Sequence, residues 1–218
     1  MALSKSIKWI IKPIVFLACL SPLFLLGWNA FTDNLSANPI DDITDATGTW
    51  TLRLLMITLS ITPLRKITGF NDLIKFRRML GLFAFFYVCL HFTTYIWLDQ
   101  FFQFEDILKD IQKRPFITVG FTAFVSLIPL AVTSTKKMIR RLGGRRWNIL
   151  HKLIYLAGIC GVIHYLWLVK ADVQRPIIYG AILTLLLGYR LYYYLRNKLS
   201  KLTPQRASGI IQGARIED

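Results

Sequence analysis

The sequence predicts an all-α integral membrane protein of six transmembrane helices, with both termini cytoplasmic. Three observations predict it. Hydrophobic residues make up 54% of the 218, more apolar surface than a soluble domain of this length buries, so the chain needs lipid as a second solvent. Apolar runs of the roughly 17–25 residues that cross a ~30 Å hydrocarbon core recur along it. Lys and Arg are spread unevenly over the segments between those runs, the asymmetry that orients a chain in a bilayer.

The first span, 10–28, follows Lys5, Lys8 and Lys12. It is longer than the apolar stretch of a secretory signal, and no small-residue cleavage pattern precedes the 29–47 loop, so it is expected to stay as a helix. The second span covers 48–64 and reaches Thr62-Pro63; the third covers 79–98 and follows the basic 65–78 segment. Arg114-Pro115 opens the fourth, 116–134; Gly143-Gly144 precedes the fifth, 149–169; Arg175-Pro176 opens the sixth, 176–195. Pro and Gly at these places punctuate helices. Trp9, Trp28, Trp50, Trp97, Trp147 and Trp167 fall near span ends, where an indole prefers the headgroup layer. Residues 1–199 are thus expected to form one transmembrane domain and residues 200–218 a short polar cytoplasmic tail. No internal repeat is evident.

Charge fixes the orientation. With the N-terminus inside, the inner segments hold Lys5 to Lys12, Arg65 to Arg78, Lys136 to Lys152 and Arg190 to Arg215. The outer side keeps Arg53, Lys109, Lys113, Arg114, Lys170 and Arg175, with acidic residues such as Asp41, Asp42, Asp45, Glu105, Asp106 and Asp110. Multi-pass insertion with both ends inside follows. The net charge of +15 does not indicate nucleic acid, because that partner needs a basic face on a soluble fold. Here the cations occupy short loops, where they set topology and attract anionic lipid headgroups. The tail is too short for the βαβ sheet that binds a dinucleotide, so electrons or groups handled by the chain are expected to come from partners.

Cys19, Cys89 and Cys160 lie within spans and form no CxxC or CxxCH spacing, so they offer neither an iron–sulfur site nor covalent haem attachment. The three histidines carry more information. His91 lies in the third span, His151 and His164 in the fifth, and ionisable groups at such depth are costly and usually functional. At 1.5 Å of rise per residue, His91 sits ~18 Å beyond Met79 and His164 ~22 Å beyond Ile149, both in the outer half. Two imidazoles at one level on different helices suit the axial positions of a b-type haem iron in a helix bundle. Phe85, Phe86, Tyr87, Phe92, Tyr95, Tyr165 and Trp167 could enclose a porphyrin, and Gly158 and Gly161 would let it approach a backbone. His151 sits at the inner edge beside Arg145, Arg146 and Lys152, and no second histidine on the third span faces it. Three roles are open to it: ligand of a second haem with an unusual partner, contact to a haem propionate or flavin phosphate, or an interfacial side chain.

Two stretches carry a family resemblance. They are Arg77-Arg78-Met79-Leu80-Gly81-Leu82 running on to His91-Phe92-Thr93-Thr94-Tyr95, and Arg145-Arg146-Trp147-Asn148-Ile149-Leu150-His151-Lys152-Leu153 running on to His164-Tyr165. The pattern resembles the MsrQ family, haem-binding membrane subunits of the bacterial periplasmic methionine sulfoxide reductase system, over nearly the whole chain. That family is similar to the ferric reductase-like transmembrane domain of NADPH oxidases and metalloreductases. Those relatives carry two histidines on each of two helices; this chain has two on the fifth span and one on the third. The resemblance implies one secure haem b, with a second at His151 left open, and an FMN. It also implies electrons from the quinone pool or a cytosolic flavin reductase, delivered to a periplasmic molybdopterin-containing methionine sulfoxide reductase subunit. Two other classes compete. A ferric or superoxide-generating reductase working with a separate dehydrogenase shares the haem chemistry and differs in its acceptor. A proton-relaying transporter would need intramembrane Asp or Glu, and the spans show none convincingly.

Overall fold

The structure, a computed structural model, describes residues 5–169 and 172–202; these are mostly helical, with no strand among them. The 203–218 part of the expected tail and the outer Lys170 lie outside the described residues. Nine α-helices follow in order among the described residues: α1 Lys5–Phe31, α2 Pro39–Thr68, α3 Arg77–Thr94, α4 Phe104–Lys113, α5 Pro115–Val132, α6 Lys136–Leu142, α7 Gly144–Leu150, α8 Leu153–Leu168 and α9 Gln174–Leu202. Two long pairings, α2 on α3 and α5 on α8, make the centre; α9 covers α2 and α8, and α1 leans on α2 and α3.

By length and composition five helices can cross a membrane: Ile10–Phe31, Arg77–Asp99, Pro115–Val132, Gly144–Leu168 and Gln174–Ser200. The second expected span behaves differently. It begins nine residues earlier, because Pro39 is pre-set for a first helical turn and Asp41 and Asp42 in that turn complement the positive end of the helix dipole. The acidic stretch read as loop is therefore helix. α2 is the most polar of the four helices in the two central pairings, yet Leu54, Leu55 and Leu59 are 2% exposed. Its threonines do not compete for partners elsewhere: Thr47, Thr51 and Thr58 donate back to the carbonyls of Ile43, Thr47 and Leu54 at 2.7–2.9 Å. A central helix faces protein on most sides, so it escapes the lipid's demand for an apolar surface.

Two prolines decide how the outer helices attach. Pro22 in α1 has no N–H for the Ala18 carbonyl, and Ser21 Oγ donates to that carbonyl at 3.0 Å. One residue on, the Tyr87 hydroxyl of α3 inserts into the ladder: it donates to Cys19 O at 2.9 Å and accepts from Leu23 N–H at 3.2 Å. Tyr87 is fully buried. Pro63 in α2 releases the Leu59 carbonyl in the same way, and Arg190 of α9 donates to it at 2.8 Å while its other arm donates to Tyr155 Oη at 3.0 Å. In lipid such freed carbonyls must find side-chain donors.

Candidate functional site

α3 places His91 against α2, and α8 places His164 against α5. The His91 Nδ1–H donates to Thr44 O at 3.0 Å. The His164 Nδ1–H donates to Phe116 O at 2.7 Å. A carbonyl only accepts, so both rings are protonated on Nδ1 and each Nε2 keeps its lone pair. Each ring also lies on a glycine four residues beyond its carbonyl. A Cβ at Gly48 would stand 3.0 Å from His91 Cε1, and one at Gly120 only 2.7 Å from His164 Nδ1. Any larger residue at these two positions meets imidazole.

The two rings lie with centroids 6.2 Å apart and planes at 78°. They line one cavity of about 450 Å³, walled by α2, α3, α5 and α8, within the range of small-molecule and cofactor sites. Its walls include Leu52, Leu55, Val88, Phe92, Phe121, Phe124, Leu127, Ala157 and Gly161, with Asp41, Asp45 and Tyr95 at one end. The Tyr95 hydroxyl donates to Asp110 at 3.3 Å, and Arg114 pairs with the same carboxylate at 3.1 Å. Phe92 stacks on Phe124 at 4.4 Å, joining α3 to α5.

The structure does not bring His151 to this cavity. It caps α7 at a break before α8, its ring tilted over Trp147 with centroids 3.9 Å apart. The Thr133 hydroxyl donates to Pro129 O at 2.6 Å, so it accepts from His151 Nε2–H at 3.2 Å. Trp147 Nε1–H donates to Thr133 O at 3.0 Å. His151 thus has the opposite tautomer from the other two, with Nδ1 as its unengaged nitrogen.

Of the enclosing residues expected from sequence, Phe92, Tyr95, Tyr165 and Gly161 line the cavity. The others do not. Phe85 backs it by stacking on Phe124, Phe86 faces away, Tyr87 latches α1, Trp167 is 54% exposed, and Gly158 makes room for Leu183 of α9. Helical phase is the reason for Phe85 and Phe86, six and five residues before His91 and so on other faces of α3; Tyr87, four residues before it, shares its face but lies one turn back, where its hydroxyl meets α1. Sequence reasoning missed Gly48, Gly120, Thr44, Phe116 and the α5 wall. A signal existed, since Gly48 and Gly120 are each the single glycine in their expected spans. Among the described residues no group of three or more His, Cys, Asp or Glu side chains is arranged to hold a metal ion.

Known families match this arrangement. The ferric reductase like transmembrane component profile covers residues 47–162, from the α2 seat into α8. A protein-methionine-sulfoxide reductase heme-binding subunit MsrQ from Herminiimonas arsenicoxydans is 54% identical over 84% of this chain and 85% of its own length. The chain belongs to the MsrQ family. Another MsrQ, from Polaromonas naphthalenivorans, is 45% identical over 93% of this chain and 95% of its own, and one from Xanthomonas campestris pv. campestris strain 8004 is 51% identical over 83% and 85%. No solved structure matches the chain. As an MsrQ-family member with a ferric reductase-like transmembrane region and five long apolar helices, it is a membrane protein.

Proposed function

We propose that this chain is the haem b electron-transfer subunit of a methionine sulfoxide reductase system, with His91 and His164 as axial ligands. One observation carries the proposal: two imidazoles, each tied through Nδ1 to a backbone carbonyl, face each other 6.2 Å apart across an apolar cavity. Rings at this spacing would be able to hold a haem iron between them, with metal–nitrogen bonds of about 2 Å. Two protein ligands without a third fit a metal whose equatorial positions belong to a macrocycle. The names of the MsrQ relatives, heme-binding subunits, agree with that fit.

When bound, the haem supplies a one-electron carrier, and the chain does the rest. The carbonyls of Thr44 and Phe116 orient the rings and raise their basicity, so His91 and His164 would hold the haem as strong donors. Phe92, Phe121 and Phe124 keep water away. Six spans, α2 included, with both termini in the cytoplasm and the paired histidines in the outer half, make residues 1–199 a conduit through the inner membrane. On this proposal the donor is the quinone pool or a cytosolic flavin reductase, and an FMN or second haem near His151 is the inner relay. The acceptor is a periplasmic molybdopterin-containing methionine sulfoxide reductase subunit, steered by the acidic 29–47 and 99–115 segments, whose charge affects encounter rate more than affinity.

The test is spectroscopic. Purified protein is expected to show a low-spin b-type spectrum that changes with dithionite, and His91→Ala or His164→Ala should each lose it. Full haem with unchanged low-spin bands in either variant overturns the ligand assignment. Reduced protein should be reoxidised by the periplasmic reductase with methionine sulfoxide; reoxidation only by ferric complexes or oxygen favours the ferric or superoxide-generating reductase.

A further inference from the structure

Away from the paired histidines, a cavity of about 590 Å³ opens between α1 and α3. Both helices can cross a membrane, so the groove between them faces lipid. Its chemistry is divided along its length. Lys12 on α1 and Arg78 on α3 stand near the starts of the two helices, joined by Lys75, which pairs with Asp72 at 2.5 Å. Beyond them the walls are Phe16, Leu20, Leu82 and Phe86. From Lys12 to Leu20, and from Arg78 to Phe86, is eight residues, ~12 Å of helix. Lys12 and Arg78 are exposed, and among the described residues no carboxylate or histidine lines the groove, Asp72 standing behind Lys75.

We propose that this groove binds one anionic glycerophospholipid, its phosphate between Lys12 and Arg78 and an acyl chain along the apolar walls. Charge complementarity selects the head: paired cations at the membrane-entry ends of two spans attract a phosphate. Length selects the tail, since ~12 Å of apolar groove has no use for a soluble anion. A quinol, the other amphiphile at hand, must shed protons on oxidation, and the lining has no base to take them. The lipid would also fasten α1. The Tyr87 hydroxyl latches that helix at Cys19 and Leu23, whereas Ile10, Ile14 and Leu17 before it are exposed.

Native mass spectrometry of the full chain in detergent, titrated with phosphatidylglycerol or phosphatidylcholine of the same acyl length, decides it. One phosphatidylglycerol should be retained per chain at detergent levels that strip phosphatidylcholine. Lys12→Gln and Arg78→Gln should each weaken retention about fivefold, from roughly 1 kcal/mol per cation near a membrane surface. Leu82→Trp, which fills the groove and keeps both cations, should also abolish retention. An unchanged helical circular-dichroism spectrum shows that each variant is folded. Equal retention of the two lipids, undiminished phosphatidylglycerol in the double cation variant, or displacement by soluble glycerol phosphate overturns the proposal. Displacement by a quinol analogue that then reduces the protein more slowly in Leu82→Trp makes the groove a quinol site instead.

Discussion

The α2–α3 pair and the α5–α8 pair solve one problem with different materials. In each, a backbone carbonyl on one helix takes the imidazole Nδ1–H of the other, and a glycine four residues later leaves room for the ring. From glycine to histidine is 91 − 48 = 43 residues in the first pair and 164 − 120 = 44 in the second. Apart from the glycine, Thr44 to Gly48 and Phe116 to Gly120 share no residue. α2 is threonine-rich with aspartates at its start, whereas α5 carries no charged residue. An imidazole's seat is therefore built by the facing helix, and it needs only an accessible carbonyl and the absence of a side chain.

The pairs differ in tightness, which sets the largest expected effect. At Gly120 an added Cβ would sit 2.7 Å from His164 Nδ1, a separation real Cβ atoms do not show; at Gly48 the nearest atom is 3.0 Å away. Gly120→Ala should push the ring off the Phe116 carbonyl and abolish most haem retention. Gly48→Ala should be milder, closer to the 10–100-fold loss of affinity that follows loss of an outer-shell partner. Haem titration of both variants, with helical content checked by circular dichroism, measures the difference. Equal retention in the two would mean that the halves are equivalent and the tighter seat has no consequence.

A smaller effect is expected where the α2–α3 half carries an attachment that the α5–α8 half lacks. Tyr87→Phe removes the hydroxyl that bridges Cys19 O and Leu23 N–H and leaves both groups without that partner in an apolar surrounding. The expected loss is about 1–3 kcal/mol of stability, read as earlier thermal loss of helix, with haem content retained at low temperature. Haem loss in step with the stability change would show that α1 is part of the cavity's support.

Much of this was legible in the sequence, because a membrane helix converts residue number into depth. His91 and His164 were matched by counting alone, and the structure sets their rings in one cavity. What counting cannot give is which helices face each other. Gly48, Gly120 and the two carbonyls acquire meaning only once α2 lies on α3 and α5 on α8, and no residue pattern repeats between them to announce the match. Contacts with the outer helices were equally hidden, so Tyr87 and Gly158, credited to the cavity, serve packing against α1 and α9 instead. The start of α2 was misplaced because acidic residues read as loop when they can equally begin a helix.

His151 is the sharpest break in the likeness of the halves: the position equivalent to it, thirteen residues before His91, is Arg78. Its Nε2–H is given to Thr133 and its ring leans on Trp147, so it cannot serve the outer cavity, and only Nδ1 is left to meet an inner group. His151→Ala should therefore change the outer low-spin spectrum least of all the variants. It loses one hydrogen bond to Thr133 at the end of α5, about 1 kcal/mol, and one ring contact with Trp147 of α7. If His151 belongs to an inner relay, the same variant should slow reduction from the cytoplasmic side while leaving dithionite reduction and outward reoxidation unchanged. Stopped-flow reduction of the protein in sealed liposomes, with reductant on one side at a time, separates the two directions. Slowing only from the inside would assign His151 to the relay; unchanged rates from both sides would leave it as the residue that joins α7 to α5, and loss of the outer spectrum would mean that the two halves are coupled through α8.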